Sequence, residues 1–148
     1  MFSKIVVGVD GSETSDNAVR IACDLAGKYG SEIHIVHTPQ PQTVAFALGA
    51  VAGYHAVTTM PSHDEVVKAA QKIVDAATDV AKTCGSAVVS TQIEQGDPGA
   101  EITGFAQKVG ADLIVTGRRG LGSIGSLVQG STSQQVNHLA KCATLSVI

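Results

Sequence analysis

The stretch ADLIVTGRRGLGSIGSLVQGST, residues 111–132, decides how the chain is read. Ala111-Asp112-Leu113-Ile114-Val115-Thr116 is a short apolar run with strand character. Five glycines follow, Gly117, Gly120, Gly122, Gly125 and Gly130, then Ser131 and Thr132. Beyond them Val136, Leu139 and Ala140 share one side of a helical pattern. A glycine-rich connection between a strand and a helix is where an α/β protein offers backbone N–H groups and the positive end of a helix dipole to an anion. Arg118 and Arg119 lie inside it.

The charge distribution agrees. No Asp or Glu follows Asp112, so residues 113–148 carry +3 while the first 112 carry −6. A locally basic, glycine-rich loop in a chain of net charge −3 points to a local anion site, a phosphate above all, and not to a nucleic-acid surface. Aromatics make up only 3% with no Trp, which removes the stacking platforms of single-strand binders. No apolar run is long enough for membrane insertion. Met1 to Val7 enters a strand pattern at once, without a signal-peptide pattern. Cys23, Cys84 and Cys142 are an odd, widely spaced set, which argues against a disulfide framework or a zinc site and for a reducing cytoplasm. Each is expected to be a small buried hydrophobe.

Outward from the loop, strands alternate with helices. Ile5-Val6-Val7-Gly8-Val9 reads as a buried parallel strand ending at Asp10-Gly11-Ser12. Ser12 or Ser15 caps a helix carrying Ala18, Ile21, Ala22, Leu25, Ala26 and Tyr29, closed by Gly30. Glu32 to Thr38 is a second strand, stopped by Pro39 and Pro41. His34 and His37 sit three apart on it and so face opposite sides, which argues against a metal pair. Residues 39–62 are the least legible part. Their apolar middle, Val44 to Tyr54, fits a short helix, a lid, an interface or packing on its own domain.

Asp64 to Cys84 is the strongest helix, with an apolar stripe of Val66, Val67, Ala70, Ile73, Val74, Ala77, Val80, Ala81 and Cys84. Ala87 to Glu94 is a third strand, and Gly96-Asp97-Pro98-Gly99 a turn. A helix with Ile102, Phe105, Ala106 and Val109 follows, ending at Gly110. After the fourth strand, the loop and a last helix, Ala143 to Ile148 alternates polar and apolar residues like an edge strand. The whole is one domain, residues 1–148, built as an open, doubly wound parallel sheet with helices on both faces. Ligands of such sheets bind beyond the carboxyl ends of the strands. Asp10, Thr38 and Gly117 all follow such ends.

Gly120-Leu121-Gly122-Ser123-Ile124-Gly125 matches the dinucleotide fingerprint letter for letter. That fingerprint belongs after the first strand, with an acidic residue about 20 positions on, and none exists downstream here. Gly125 to Ser131 has P-loop spacing, but Gln129 precedes Gly130 and the lysine is missing. The spacing that fits is Gly117-x2-Gly120-x9-Gly130-Ser131.

With that spacing the chain resembles the universal stress protein family nearly end to end. The matching pieces are Ile5 to Ser12, the strand ending His37-Thr38, Gly96-Asp97-Pro98 before Glu101-Ile102, and Ala111 to Gly117. The glycine spacing resembles the family's ATP-binding signature. The resemblance implies a Rossmann-like, adenine nucleotide alpha hydrolase-like fold, strand order 3-2-1-4-5, with ATP and Mg²⁺ in its crevice. It implies that Val9 and Asp10 border the adenosine, Asp10 near the ribose, and that the Thr38 backbone meets adenine. Thr116 and Gly117 would approach sugar and phosphates, and Gly120, Gly130, Ser131 and Thr132 would cradle the phosphates. Arg118 and Arg119 replace the family's commoner small and polar or histidine-like pair, and would either strengthen phosphate contacts or occupy the site. A homodimer through the C-terminal edge strand and a regulatory, stress-response role also follow from the resemblance, with no protein partner named.

Each residue has a plainer reading. Asp10 can be a helix cap, the glycines a loop only, the arginines solvated charges. Without a P-loop lysine or a general base, slow ATP hydrolysis is the most catalysis expected. Two rival functions stay open: a nucleotide-free interaction module of the same fold, and a binder of AMP or cyclic AMP.

Overall fold

The computed structural model describes residues 1–49, 60–121 and 130–148. Five strands, β1 (Lys4–Gly8), β2 (Glu32–His37), β3 (Val88–Ile93), β4 (Leu113–Gly117) and β5 (Ala143–Val147), form one sheet of order β3-β2-β1-β4-β5. Every neighbouring pair is parallel. Five helices are described: α1 (Glu13–Tyr29), α2 (Pro41–Ala47), α3 (His63–Thr83), α4 (Pro98–Val109) and α5 (Ser131–Leu139). The class is as the alternation of elements implies, and the strand order as the resemblance implies.

Both faces of the sheet are covered, so its central strands are apolar throughout. Ile5 and Val7 of β1, and Val9 just beyond it, point one way, with Ile33 and Ile35 of β2 and Val115 of β4. They meet Ala18, Val19 and Ala22 of α1 and Ala69, Ile73 and Ala77 of α3. Val6, Val36 and Ile114 point the other way, onto Ile102, Phe105 and Ala106 of α4 and Val136 of α5. This two-residue period is that of the pleat. Each Val or Ile buried this way contributes about 1.5–3 kcal/mol.

The helix ends obey local chemistry. Ser12 caps α1, accepting from Ser15 N at 3.2 Å, and Gly30 closes it at φ 69°. Ser62 and Glu65 form a reciprocal capping box on α3. Asp97 caps α4, and Pro98 fills its first turn, where a missing N–H costs nothing.

Several expectations need correction. The apolar stripes are narrower than the spacing implied. Ile21, Val67 and Leu139 are 36%, 48% and 40% exposed. Cys84 is exposed and Cys142 half-buried, so only Cys23 is a buried thiol. Residues 39–62 begin with helix α2, started by Pro41 at its first position. The sequence reading took Pro41 only as a strand stop. Residues 50–54 of the apolar segment, with Gly122, Gly125 and Gln129, lie outside the described residues.

Candidate functional site

The register brings three strand ends level. Gly8 of β1 pairs with Val36 of β2 and with Thr116 of β4, so the chain leaves the sheet at one edge from three adjacent strands. From β1 the neighbours diverge, β2 to one side and β4 to the other, and a crevice opens between their exits. It is a cleft of about 440 Å³, within the range of small-molecule sites.

Ten of the eleven residues expected from sequence line this cleft. Val9 and Asp10 leave β1, Thr38 leaves β2, and Thr116 and Gly117 end β4. Arg119 and Gly120 follow, with Gly130, Ser131 and Thr132 at the start of α5. Arg118 is not on the wall. Its main chain is spent on the frame: the N–H donates to Val147 O at 2.6 Å, and the carbonyl accepts from Gly130 N at 2.7 Å. Ser133 Oγ donates to that carbonyl too, at 3.2 Å. Residues 118 and 130 are thereby held together across the loop.

Asp10 joins the two halves of the site. Its Oδ1 accepts from Ser12 N at 2.9 Å and from Ser12 Oγ at 2.5 Å, which orients the cap of α1. Its Oδ2 accepts from Leu121 N at 3.2 Å, on the glycine loop. A carboxylate has about four acceptor positions, so capacity remains for a ligand hydroxyl. Thr14 Oγ1 donates to Arg119 O, a second tie between α1 and the loop.

The glycines have a role the sequence did not disclose. A Cβ at Gly120 would run into Asp10 Oδ2. At Gly130 it would lie 3.1 Å from Arg118 O, and at Gly117 3.0 Å from Thr14 Oγ1 and 3.2 Å from Arg119 O. None of these three positions has the positive φ that favours glycine. They are glycine because the loop is packed against its own frame.

The start of α5 differs from those of α1, α3 and α4. Those three carry side-chain caps, whereas α5 begins at Gly130 with no side-chain cap bond and no acidic residue in its first turn. Ser131 and Thr132, which lead α5, line the cleft, so the positive end of the helix dipole faces it. Arg119 lines the same cleft.

The sequence reading missed several wall residues. Gln40 precedes α2 as its N-cap, and Gln42 and Thr43 come from its first turn; that helix start was not recognised. Ile102 enters from α4 because Gly8 carries no side chain, since a Cβ there would sit 2.7 Å from Ile102 Cδ1. Glycine inside an apolar strand was the available signal for such a close approach.

The two strand histidines face opposite sides. His34 Nδ1 meets Ser90 Oγ at 2.7 Å, and its ring lies edge-on to Phe105. His37 Nδ1 meets Val9 O at 2.8 Å. A carbonyl only accepts, so Nδ1 carries the proton and Nε2 is bare. That Nε2 is buried without a partner among the described residues. Burial pushes the His37 pKa below its usual value, against opposing pulls from the Val9 carbonyl and the Asp10 charge.

A sequence profile described as the universal stress protein family matches residues 1–147. A universal stress protein from the QAH/OAS sulfhydrylase 3′ region of Thermus aquaticus is 34% identical, the match covering 99% of each chain. Universal stress protein YxiE of Bacillus subtilis (strain 168) is 31% identical, again over 99% of each. Among solved structures, a universal stress protein in complex with cAMP superposes with a TM-score of 0.69 at 25% identity, covering 99% of this chain and 96% of that one.

Proposed function

This chain belongs to the universal stress protein family, and we propose that its crevice binds an adenine nucleotide, ATP with Mg²⁺, as the regulatory input of a stress-response module. The observation that carries the proposal is the convergence on one cleft of three strand ends, the glycine loop and an uncapped helix start. Phosphates fit the α5 end, where N–H groups, the Ser131 and Thr132 hydroxyls and Arg119 are all donors. Gly117, Gly120 and Gly130 keep that wall at main-chain thickness. The ribose fits beside Asp10, and the base lies between Val9 and Thr38. The cAMP complex of a relative supports an adenine nucleotide in this fold.

Mg²⁺ would arrive with the triphosphate. Among the described residues no three His, Cys, Asp or Glu side chains are grouped to hold a metal, and Mg²⁺ commonly rests on ligand phosphates with few protein groups. We place the module in the cytoplasm as a homodimer joined along β5, whose outer edge pairs with no strand among the described residues.

Thermal unfolding of nucleotide-free protein, with and without Mg-ATP, AMP and cyclic AMP, tests the reading. A ligand at about 100 times its Kd adds about 2.7 kcal/mol, which raises Tm by roughly 5–10 °C at this size. In Arg119→Ala the shift with ATP shrinks while that with adenosine stays. A shift with AMP or cyclic AMP alone reassigns the ligand. No shift with any nucleotide refutes the proposal and leaves a nucleotide-free interaction module of the same fold.

A further inference from the structure

Cysteines far apart in the sequence are brought together by packing. α1 links β1 to β2 and α3 lies between β2 and β3, all parallel, so both helices run back toward the amino ends of the strands and share a direction. They pack on each other. Their register is fixed at one end, where a Cβ at Gly11, just before α1, would lie 3.3 Å from Ile73 Cγ1 of α3. Cys23 lies about ten residues beyond Glu13, and Cys84 about eleven beyond Ile73, roughly 15 and 16 Å along the two axes. The two cysteines are therefore level. They also belong to one seam. Ala77, Ala81 and Cys84 follow one stripe of α3, at helical steps of four and three. Ala77 and Ala81 are buried in one cluster with Ala22, Cys23 and Ala26 of α1. Alanine on both sides lets helix axes approach to about 8 Å, which brings facing Cα atoms into the range a disulfide spans, about 4.4–6.8 Å.

The two thiols differ in access, Cys23 being buried and Cys84 exposed. Burial pushes the Cys23 thiol up, a hydrogen bond with the Ser86 side chain pulls it down, and the adjacent Cys84 thiol pushes it up further. From their level placement on packed helices, we propose that Cys23 and Cys84 are a redox-active dithiol that closes to a disulfide in the folded protein when it meets a low-molecular-weight disulfide. The exposed Cys84 thiolate attacks the small disulfide, bonds to one of its sulfurs and releases the other half as a thiolate. The Cys23 thiolate then attacks the Cys84 sulfur, the protein S–S bond forms, and the second half leaves. Two protein thiols are oxidised, one small disulfide is reduced to two thiols, and the two protons pass to them. Cys23 needs no contact with solvent, because α3 delivers the sulfur it attacks. Cys142 takes no part, since it packs on the other face of the sheet.

Fully reduced full-length protein, treated with oxidised glutathione at pH 8 and mapped by peptide mass spectrometry, tests the proposal. Wild type and Cys142→Ser are expected to yield a Cys23–Cys84 linked peptide that dithiothreitol reverses. Cys23→Ala is expected to stop at a glutathione held on Cys84, and Cys84→Ser, a change at an exposed position, to give no internal link. Closing a loop of about 60 residues restricts the unfolded chain, so oxidised Cys142→Ser is expected to melt roughly 5–10 °C above its reduced form. Wild-type protein that keeps glutathione on Cys84 with Cys23 reduced overturns the proposal. Cys84 joined between two chains in place of Cys23 overturns it too, as does a Tm lowered by the internal link, since the folded frame would then not accommodate the bond.

Discussion

Gly120→Ala is the most informative single change at the site, because its effect should depend on one other residue. The Gly120 backbone is not in the positive-φ region, so alanine is compatible with it locally. The added Cβ would run into Asp10 Oδ2 and lie 3.6 Å from Asp10 Cγ. The carboxylate must turn away and lose at least its bond from Leu121 N at 3.2 Å. A larger turn also weakens the 2.9 and 2.5 Å bonds from Ser12. Hydrogen bonds to a charged group contribute about 1.5–3 kcal/mol each, and Oδ2 makes the longest of the three. A loss of about 2 kcal/mol is expected, or roughly 4–8 °C in Tm. Urea unfolding of wild type, Gly120→Ala, Asp10→Ala and the double variant isolates the coupling. With the carboxylate gone no other atom of the described residues lies within 4 Å of that Cβ, so alanine at 120 should cost under about 0.5 kcal/mol, or stabilise slightly by stiffening the unfolded chain. Should Gly120→Ala cost the same in both backgrounds, the packing of Gly120 on Asp10 is not why glycine stands there.

Two further predictions concern groups outside the glycine loop. His37 has a folded-state pKa lowered by burial, so between that value and its unfolded value of about 6.5 the unfolded chain binds more protons. Its contribution is therefore complete above pH about 6.5 and is lost as pH falls through the window below. The urea midpoint of wild type should drop more steeply than that of His37→Gln from pH 7 to pH 5, and parallel curves would refute this. The thiols should separate by access. Burial holds the Cys23 thiol above its usual pKa, while Cys84 is exposed at the end of α3. Iodoacetamide at pH 8 followed by peptide mass spectrometry should find Cys84 modified first and Cys23 last, and early labelling of Cys23 would contradict its burial.

Much of the fold was legible because the strongest signals are local. Val6 and Val7 point to opposite sides and both meet apolar helix faces, so β1 must read as a continuous apolar run. Gly30 and Gly110 end helices at φ 69° and 71°, where other residues are strained. The errors came where a neighbour decides. Val67 and Leu139 follow helical spacing yet lie at the margins of faces whose centres are Ala and Val. Spacing gives the direction of a side chain but not the width of the surface it meets. Cys84 was grouped with the α3 stripe for the same reason, although the helix ends beneath it. The start of α2 was missed because Pro41 ends one element and opens the next.

Gly117, Gly120 and Gly130 line the cleft, but their spacing is an incomplete reason for glycine at these positions. Glycine spacing suggested main chain bared for a phosphate. Gly117, Gly120 and Gly130 instead stand against Thr14, Asp10 and the Arg118 carbonyl, so they first allow the loop to close on α1 and on itself. A valine at 120 or 130 would strike this frame before any ligand, which makes loss of binding in such variants ambiguous. The frame also explains how a loop can present N–H groups at a fixed place. Asp10 holds Leu121 with one oxygen and the cap of α1 with the other, while Arg118 O holds Gly130 and with it the first turn of α5. The anion wall thus inherits its geometry from β1 and β4, the two strands between which the sheet changes direction. Asp10 touches both the frame and the cleft. It follows that Asp10→Ala should weaken ATP and inorganic tripolyphosphate together, through the displaced loop. An Asp10→Ala protein that keeps its tripolyphosphate affinity would show that the loop holds its shape without the carboxylate, and would leave Asp10 only a contact to the ribose.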